Sequence, residues 1–224
     1  MSASVVLHPF PDENGFPVVI EHPSKSTSLS TWNDPSEAAT VAVTETSDLP
    51  ASLNGLAFTC ETLGEEDWVR MMRVPTKLVE PEPKFPKTEK RRTSGLVIWE
   101  PDGRFWLVHP TNAFGGVEAT FPKGRLEPEL SLLVNAVKEG WEESGILAEP
   151  LCWLCDIDRT KTMTRYYLAR RISGSPAAAG WESQAVSLVP PNRLLAFLNR
   201  PNDQRVLPSL ATRTMDGHFA RLLR

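Results

Sequence analysis

Cysteine is scarce in this chain, with three residues among 224. That is too few for a disulfide scaffold, and no export signal precedes the first apolar stretch, so the expected compartment is reducing and cytoplasmic. No uninterrupted apolar run approaches the ~18 residues a membrane span requires, which argues against a membrane partner. An excess of positive charge is also missing. The 24 Lys+Arg against 28 Asp+Glu leave a net −4, so nothing general draws the chain to nucleic acid. Internal repeats are absent, and the Gly115-Gly116 pair is too short for a dinucleotide or P-loop fingerprint. Proline, by contrast, is abundant at 20 residues, which predicts many turns and few long helices. At 41% hydrophobic the chain can bury a sizeable core, as one domain with an appendage or as two small ones.

Charge divides the chain. Residues 1–70 carry eleven acidic and two basic side chains, residues 71–92 seven basic and three acidic, and the remainder is nearly balanced. Such a shift marks boundaries. The expected organisation is an acidic, Pro/Ser/Thr-rich arm over residues 1–74, a stiff, solvated, basic linker over 75–92, and a folded domain over 93–224. The arm reads as irregular with a few strands, from apolar stretches at 16–20 and 39–43 and an Asn54-Gly55 turn. Trp32 and Trp68 argue against complete disorder there.

From residue 93 the pattern tightens. Residues 95–99 (Gly-Leu-Val-Ile-Trp) and 105–108 (Phe-Trp-Leu-Val) flank a Pro-Asp-Gly turn and read as a hairpin. Residues 132–144 read as a helix, with Leu133, Ala136, Val137 and Gly140 at helical spacing and Gly145 as its stop. Further strands are expected at 151–154, 165–169 and 184–189, and a helix at 192–199. Alternating strands and helices predict an α/β or α+β domain with a mixed sheet.

That helix carries Glu139, Glu142 and Glu143 at i, i+3, i+4, which places three carboxylates on one face. Two readings of that face stand side by side. One is a solvated acidic patch, the commoner fate of such a run. The other is a divalent-cation site, since hard oxygen ligands suit Mg²⁺ or Mn²⁺, and Mg²⁺ takes phosphate oxygens as further ligands. The preceding loop, with Lys123, Gly124 and Arg125, offers amides and cations that would suit a phosphate.

Aligned from Gly124, the chain also supplies Glu139, Glu142, Glu143, Gly145 and Ile146 at the spacings of the Nudix signature, and residues 93–210 resemble the Nudix hydrolase family. The Phe121-Pro122-Lys123-Gly124 lead-in adds to the likeness. The resemblance implies an α/β/α sandwich and Mg²⁺-dependent hydrolysis of a nucleoside diphosphate linked to another moiety, ADP-ribose-like or a dinucleoside polyphosphate. It implies that Glu139 and Glu143 act chiefly as metal ligands and that Glu142 is ligand or base. A base in a later loop is also known to the family, and Glu182 is the outside candidate, with an exposed loop carboxylate as its plainer reading. Lys123, Gly124, Arg125 and Arg165 are the substrate-side candidates, and Arg159 and Lys161 stand beside them. The implied partner is a small nucleotide, and a homodimer is compatible with this reading.

Three positions depart from the signature. Leu130 stands where it has a Glu, Lys138 where it has Arg, and Gly140 where it has an apolar residue. Lys keeps the charge without the guanidinium fork, and Gly costs roughly 1 kcal/mol of helix stability relative to Ala. These departures motivate an alternative, a weakened Nudix-fold module that binds nucleotide or a protein without turnover. Other signals rank lower. Cys152-x-x-Cys155 lacks two further zinc ligands, and an unbroken strand would point the two thiols to opposite faces. His8, His22, His109 and His218 are scattered. Phe114 is a base-stacking candidate with a core role as its plainer reading, and the basic run 84–92 reads as linker rather than nucleic-acid contact.

Overall fold

The computed structural model describes residues 5–60, 62–73 and 78–215. His218 and the first linker residues, 75–77, lie outside them. In chain order the elements are β1 (Val6–Leu7), β2 (Val19–Ile20), α1 (Leu29–Trp32), β3 (Ala39–Ala42), β4 (Ser52–Leu53), β5 (Leu56–Ala57), α2 (Glu65–Arg73), β6 (Arg91–Trp99), β7 (Phe105–Pro110), β8 (Lys123–Arg125), α3 (Leu132–Ser144), β9 (Ile146–Asp158), β10 (Thr162–Gly174), β11 (Ser183–Val189), α4 (Leu194–Phe197), α5 (Pro201–Gln204) and α6 (Leu207–Met215).

Among the described residues the main sheet has seven strands, in the order β3-β11-β7-β6-β10-β9, with β8 alongside β6. The β6–β10 pair is parallel and the other pairs are antiparallel, so the sheet is mixed. Alternation along the strands feeds two cores. Leu96, Ile98, Tyr167 and Val186 face one side together with Ala136 of α3. Val97, Leu107, Tyr166 and Leu168 face the other, against Leu194, Leu198, Val206 and Leu210 from α4 to α6. The result is an α/β/α sandwich.

The sheet joins segments that composition divides. Strand β3, from the acidic arm, pairs with β11 at one edge, Val41 opposite Val186. Trp32 is buried against Trp106 and Phe58. One side chain holds this region down. Buried Arg104 donates to the carbonyls of Thr31, Trp32, Asp34 and Glu37 and pairs with Asp102 at 2.8 Å. A second buried pair, Arg171 with Glu100, ties β10 to the end of β6, and Arg171 also donates to the Leu53 carbonyl.

The described linker residues are docked at defined points. Glu82 accepts from Tyr167 at 2.7 Å and from Arg165 at 3.1 Å, while Phe85 lies beneath the Arg165 and Arg92 guanidinium groups. The two cysteines also depart from expectation. Along β9, Tyr166 pairs with Cys155 and Tyr167 with Trp153, so Leu154 is an extra residue, a bulge that flips the alternation. Cys152 and Cys155 therefore enter the same core, and burial pushes the Cys155 thiol up to about 12. The helix expected at 192–199 is shorter, because Pro191 opens a 3₁₀ turn before α4.

Replacing Arg104 by Met strands the Asp102 charge and leaves four carbonyls without their donor. Urea unfolding should show a loss of about 3 kcal/mol, and residues 28–38 should become cleavable in limited proteolysis. An unchanged cleavage pattern would remove Arg104 as the anchor.

Candidate active site

Helix α3 begins at Ser131, whose side chain accepts from the Val134 amide, and ends at Gly145 in the left-handed conformation at φ 69°. Between them the helix lies on β6 and β8. Gly140 allows this approach, since a Cβ there would stand 2.8 Å from the Leu96 side chain. The departure from an apolar residue is thus matched by a neighbouring leucine that fills the space. Buried Asn135 accepts from the Glu127 amide at 2.9 Å and donates to Ser94 at 3.0 Å, which fixes the loop before the helix. Nothing in the periodicity marks Asn135. A polar residue on the apolar face was the available signal.

Glu139 sits on the inward face with 9% of its surface exposed. Its carboxylate fills the space a side chain would take at Gly124, where a Cβ would fall 2.0 Å from Oε2. Among the described residues the Glu139 carboxylate receives no hydrogen bond. Glu143, one turn on, accepts the Lys123 backbone N–H at 2.8 Å. Glu142 is held by the Lys138 ammonium at 2.6 and 2.7 Å, and the same ammonium lies 2.7 Å from Glu127. Lys138 thus has two carboxylate partners, Glu142 on its own helix and Glu127 in the loop before it. Burial pulls the Lys138 ammonium down, and Glu127 and Glu142 more than reverse this, for a net upward shift.

Glu182 reaches this group through the backbone. The Gly180 amide donates to the Glu142 carbonyl at 2.7 Å, which fastens the loop before β11 to the end of α3. Its carboxyl is held above the usual range by desolvation first, then by the charges of Glu142 and Glu13. Burial, then Glu143 and Glu142, push Glu139 up to about 9, with Glu182 adding to the shift. Burial likewise moves Glu143 up to about 7, against the pull of Lys123. Four carboxyls therefore share one field without enough cations to balance it.

The remaining candidates separate. Lys123 and Arg125 flank Gly124 on β8. Arg165 is a correction: it is buried, paired in bidentate fashion with Asp156 at 2.8 Å, and covered by Glu82 and Phe85, so it is a structural tie and not a substrate contact. Arg159 is similarly spent on Asp203 and Tyr166. His109 is packed against Phe197 and bonded to Ser187, and burial lowers its pKa to about 4. Phe114 is not core. It is 83% exposed on a loop whose Thr111 amide donates to the Glu182 carbonyl. Arg200 and Asn199 hold the same loop through the carbonyls of Gly115 and Gly116.

Among the described residues, no three acidic, histidine or cysteine side chains already stand close enough to cage a metal ion. Lys138 holds Glu142 and the Lys123 amide holds Glu143. The donor chemistry nonetheless fits a hard divalent cation. Glu139 is a buried carboxylate with no donor of its own, crowded by like charges and seated where Gly124 leaves room.

The NUDIX domain family model matches residues 89–210, and the chain belongs to the Nudix family. Solved structures of similar fold include a NUDIX hydrolase from Nitrosomonas europaea, at 16% identity and a TM-score of 0.49, covering 55% of this chain and 90% of that one. An ADP-ribose pyrophosphatase from Streptococcus suis is similar at 18% identity and a TM-score of 0.45, over 55% of this chain and 92% of that one. An Ap4A hydrolase of C. elegans is similar at 17% identity and a TM-score of 0.46, over 56% and 98%. No curated protein sequence matches the chain.

Two outcomes are expected of this geometry. Glu139 and Glu143 have folded pKa values above their ordinary 4.5, so between about pH 4.5 and 9 the folded state holds protons that the unfolded chain has lost. Stability is greatest below that window and falls as pH rises through it. Metal-free protein should melt at least about 3 °C lower at pH 8 than at pH 5, the shift that ~1 kcal/mol produces in a chain of this size. Glu139→Gln should flatten the profile, and an equally steep profile in that variant would refute the assignment. Separately, Gly124→Ala should drive the Glu139 carboxylate from its seat, leaving circular dichroism intact while Mn²⁺ binding, read by calorimetry, is lost.

Proposed function

We propose that this chain hydrolyses the pyrophosphate bond of a nucleoside diphosphate linked to another moiety, with ADP-ribose-like compounds and dinucleoside polyphosphates as the substrate classes. One observation carries the reading. A buried carboxylate, Glu139, lies against Gly124 without a hydrogen-bond donor and within the field of Glu142, Glu143 and Glu182. In its ionised form such a group costs stability, and a proton or a bound cation relieves that cost. Membership of the Nudix family supports the reaction class.

Glu139, Glu142 and Glu143 would hold Mg²⁺ or Mn²⁺. A bound divalent cation supplies Lewis-acid polarisation of phosphoryl oxygens and a water of lowered pKa. Lys123 and Arg125, on either side of Gly124, hold phosphate oxygens and neutralise charge as the P–O–P link opens. Glu182 takes the proton of the attacking water on its carboxylate. Desolvation raises its pKa and with it its basicity, while the Glu142 oxygens are occupied by Lys138. Water adds across the anhydride, and two phosphorylated products leave.

A second reading has its own support. With Glu142 clasped by Lys138, the fold could hold a nucleotide without splitting it. Chromatographic detection of the cleaved phosphorylated products from nucleoside diphosphate sugars, dinucleoside polyphosphates and nucleoside triphosphates, with Mg²⁺ and with Mn²⁺, separates the two. Metal-dependent turnover is expected. It should fall at least about 100-fold in Glu142→Gln and Glu143→Gln, and Glu182→Gln should lose the acidic limb of the pH–rate profile. Saturable binding with no turnover of any compound favours the second reading.

A further inference from the structure

We infer that the first hairpin of the acidic arm, β1 to β2, is a working part of the active site, and that His8 on it is a positioning residue for the Glu182 loop. This inference rests on the hydrolase reading above, in which Glu182 takes the proton, and deepens it. The family model starts at residue 89, so the hairpin lies outside the matched domain.

Strands β1 and β2 pair antiparallel, with Val6 opposite Ile20 and Leu7 opposite Val19. The turn beyond them is closed by Asp12, whose carboxylate accepts from the Asn14 and Phe16 amides. As a packing element the hairpin is poor. Leu7, Phe10, Phe16 and Val19 are each at least 43% exposed, while Ile20 alone of the two strands is buried in the core. Apolar burial therefore gives little reason for the hairpin to lie where it does.

Polar bonds give that reason, and they converge on three consecutive residues. The Glu182 carbonyl accepts from the Thr111 amide at 2.8 Å. The Ser183 carbonyl accepts from His8 Nε2 at 3.1 Å. The Gln184 carbonyl accepts from the Val43 amide at 3.1 Å, and the Gln184 side chain donates to the His22 carbonyl at 3.0 Å and to the Ser24 hydroxyl at 2.8 Å. Thr111 is itself tied to the hairpin through Asn112, whose side chain accepts from the Glu21 amide and donates to the Val19 carbonyl, both at 2.8 Å. Each of the three residues is thus held from the arm, directly or through one neighbour.

His8 is the contact nearest to Glu182 that comes straight from the hairpin. It is buried, and a carbonyl can only accept, so Nε2 carries the proton that reaches Ser183. Nδ1 is engaged by the Phe10 backbone, so the ring cannot turn without breaking contacts at both nitrogens. From the other side the Gly180 amide is bonded to the Glu142 carbonyl of α3. Glu182, in the turn before β11, is therefore suspended between two anchors, the helix and the arm. The charge of Glu13, at the hairpin tip, reaches the Glu182 carboxyl, which sets the tip beside the site. Proton transfer requires hydrogen-bond reach, so a small displacement of Glu182 slows the reaction without loosening the hold on substrate.

The test uses the full chain with His8→Ala, His8→Gln and Asn112→Gly, the last because glycine tolerates the φ of 54° at that position. On whichever of ADP-ribose and diadenosine tetraphosphate the chain hydrolyses with Mg²⁺, His8→Ala and Asn112→Gly should each lower kcat about tenfold and leave KM within about twofold. His8→Gln keeps an N–H for the Ser183 carbonyl and should restore kcat to within about threefold. In a Glu182→Gln background, His8→Ala should cost less than about twofold more, because the group it positions is already gone. An unchanged kcat in His8→Ala, or a loss that persists in full without the Glu182 carboxylate, overturns the inference. Hydrogen exchange at the Thr111 and Ser183 amides reads the loop without turnover, and should quicken about tenfold in His8→Ala but not in His8→Gln. Equal exchange in all the proteins overturns the inference even where kcat falls. Faster exchange in His8→Ala, with neither compound turned over by the unaltered chain, would instead sink the hydrolase reading and leave the arm as the clamp of this loop.

Discussion

The site depends on one enforced proximity, that of the Glu139 carboxylate to the bare backbone of Gly124. Helix α3 cannot lie this close to β8 unless residue 124 lacks a side chain, and Glu139 cannot be buried unless the helix lies this close. Burial then sets the chemistry. A carboxyl removed from water and crowded by Glu142 and Glu143 gives up its proton reluctantly, and it stabilises a bound cation more than a solvated carboxylate would. The surrounding ties, Asn135 to the Glu127 amide, the Lys123 amide to Glu143 and Gly180 to the Glu142 carbonyl, hold loop, helix and distal loop around that contact.

Buried arginines do a related task at a distance. Arg104 gathers the carbonyls of the turn before β3, Arg171 joins Glu100 to the Leu53 carbonyl, and Arg165 joins β9, β10 and the linker. Each guanidinium is nearly dry, and most of its donors are met by partners that include segments distant in sequence. Irregular chain is thereby held against a regular sheet by a few multidentate groups.

What could be read from residues alone follows the range of the interactions. Helix α3 was legible because its apolar period and terminal glycine are both local in sequence. The β6–β7 hairpin was legible because Pro-Asp-Gly separates two apolar runs, and the carboxylate spacing was legible because a helix makes it local. Other features rest on distant partners. Arg165 looked available to a substrate because its partner Glu82 belongs to a segment whose composition suggests a free linker. Cys152 and Cys155 share a face only because Leu154 bulges out of the β9–β10 register, which no local pattern reports. Phe114 resembled a core residue until the positive φ values at Asn112 and Ala113 placed it on an outward loop. Asn135 was overlooked because a polar residue in an apolar stripe gains meaning only from Ser94 and Glu127.

Strand β3 is made early and seated late. Its sheet partner, β11, lies about 145 residues further along, so Ala39–Ala42 has only local partners such as Ser26 and Thr27 until most of the chain has emerged. In the interval the edge of β3 that β11 will cover stays unpaired.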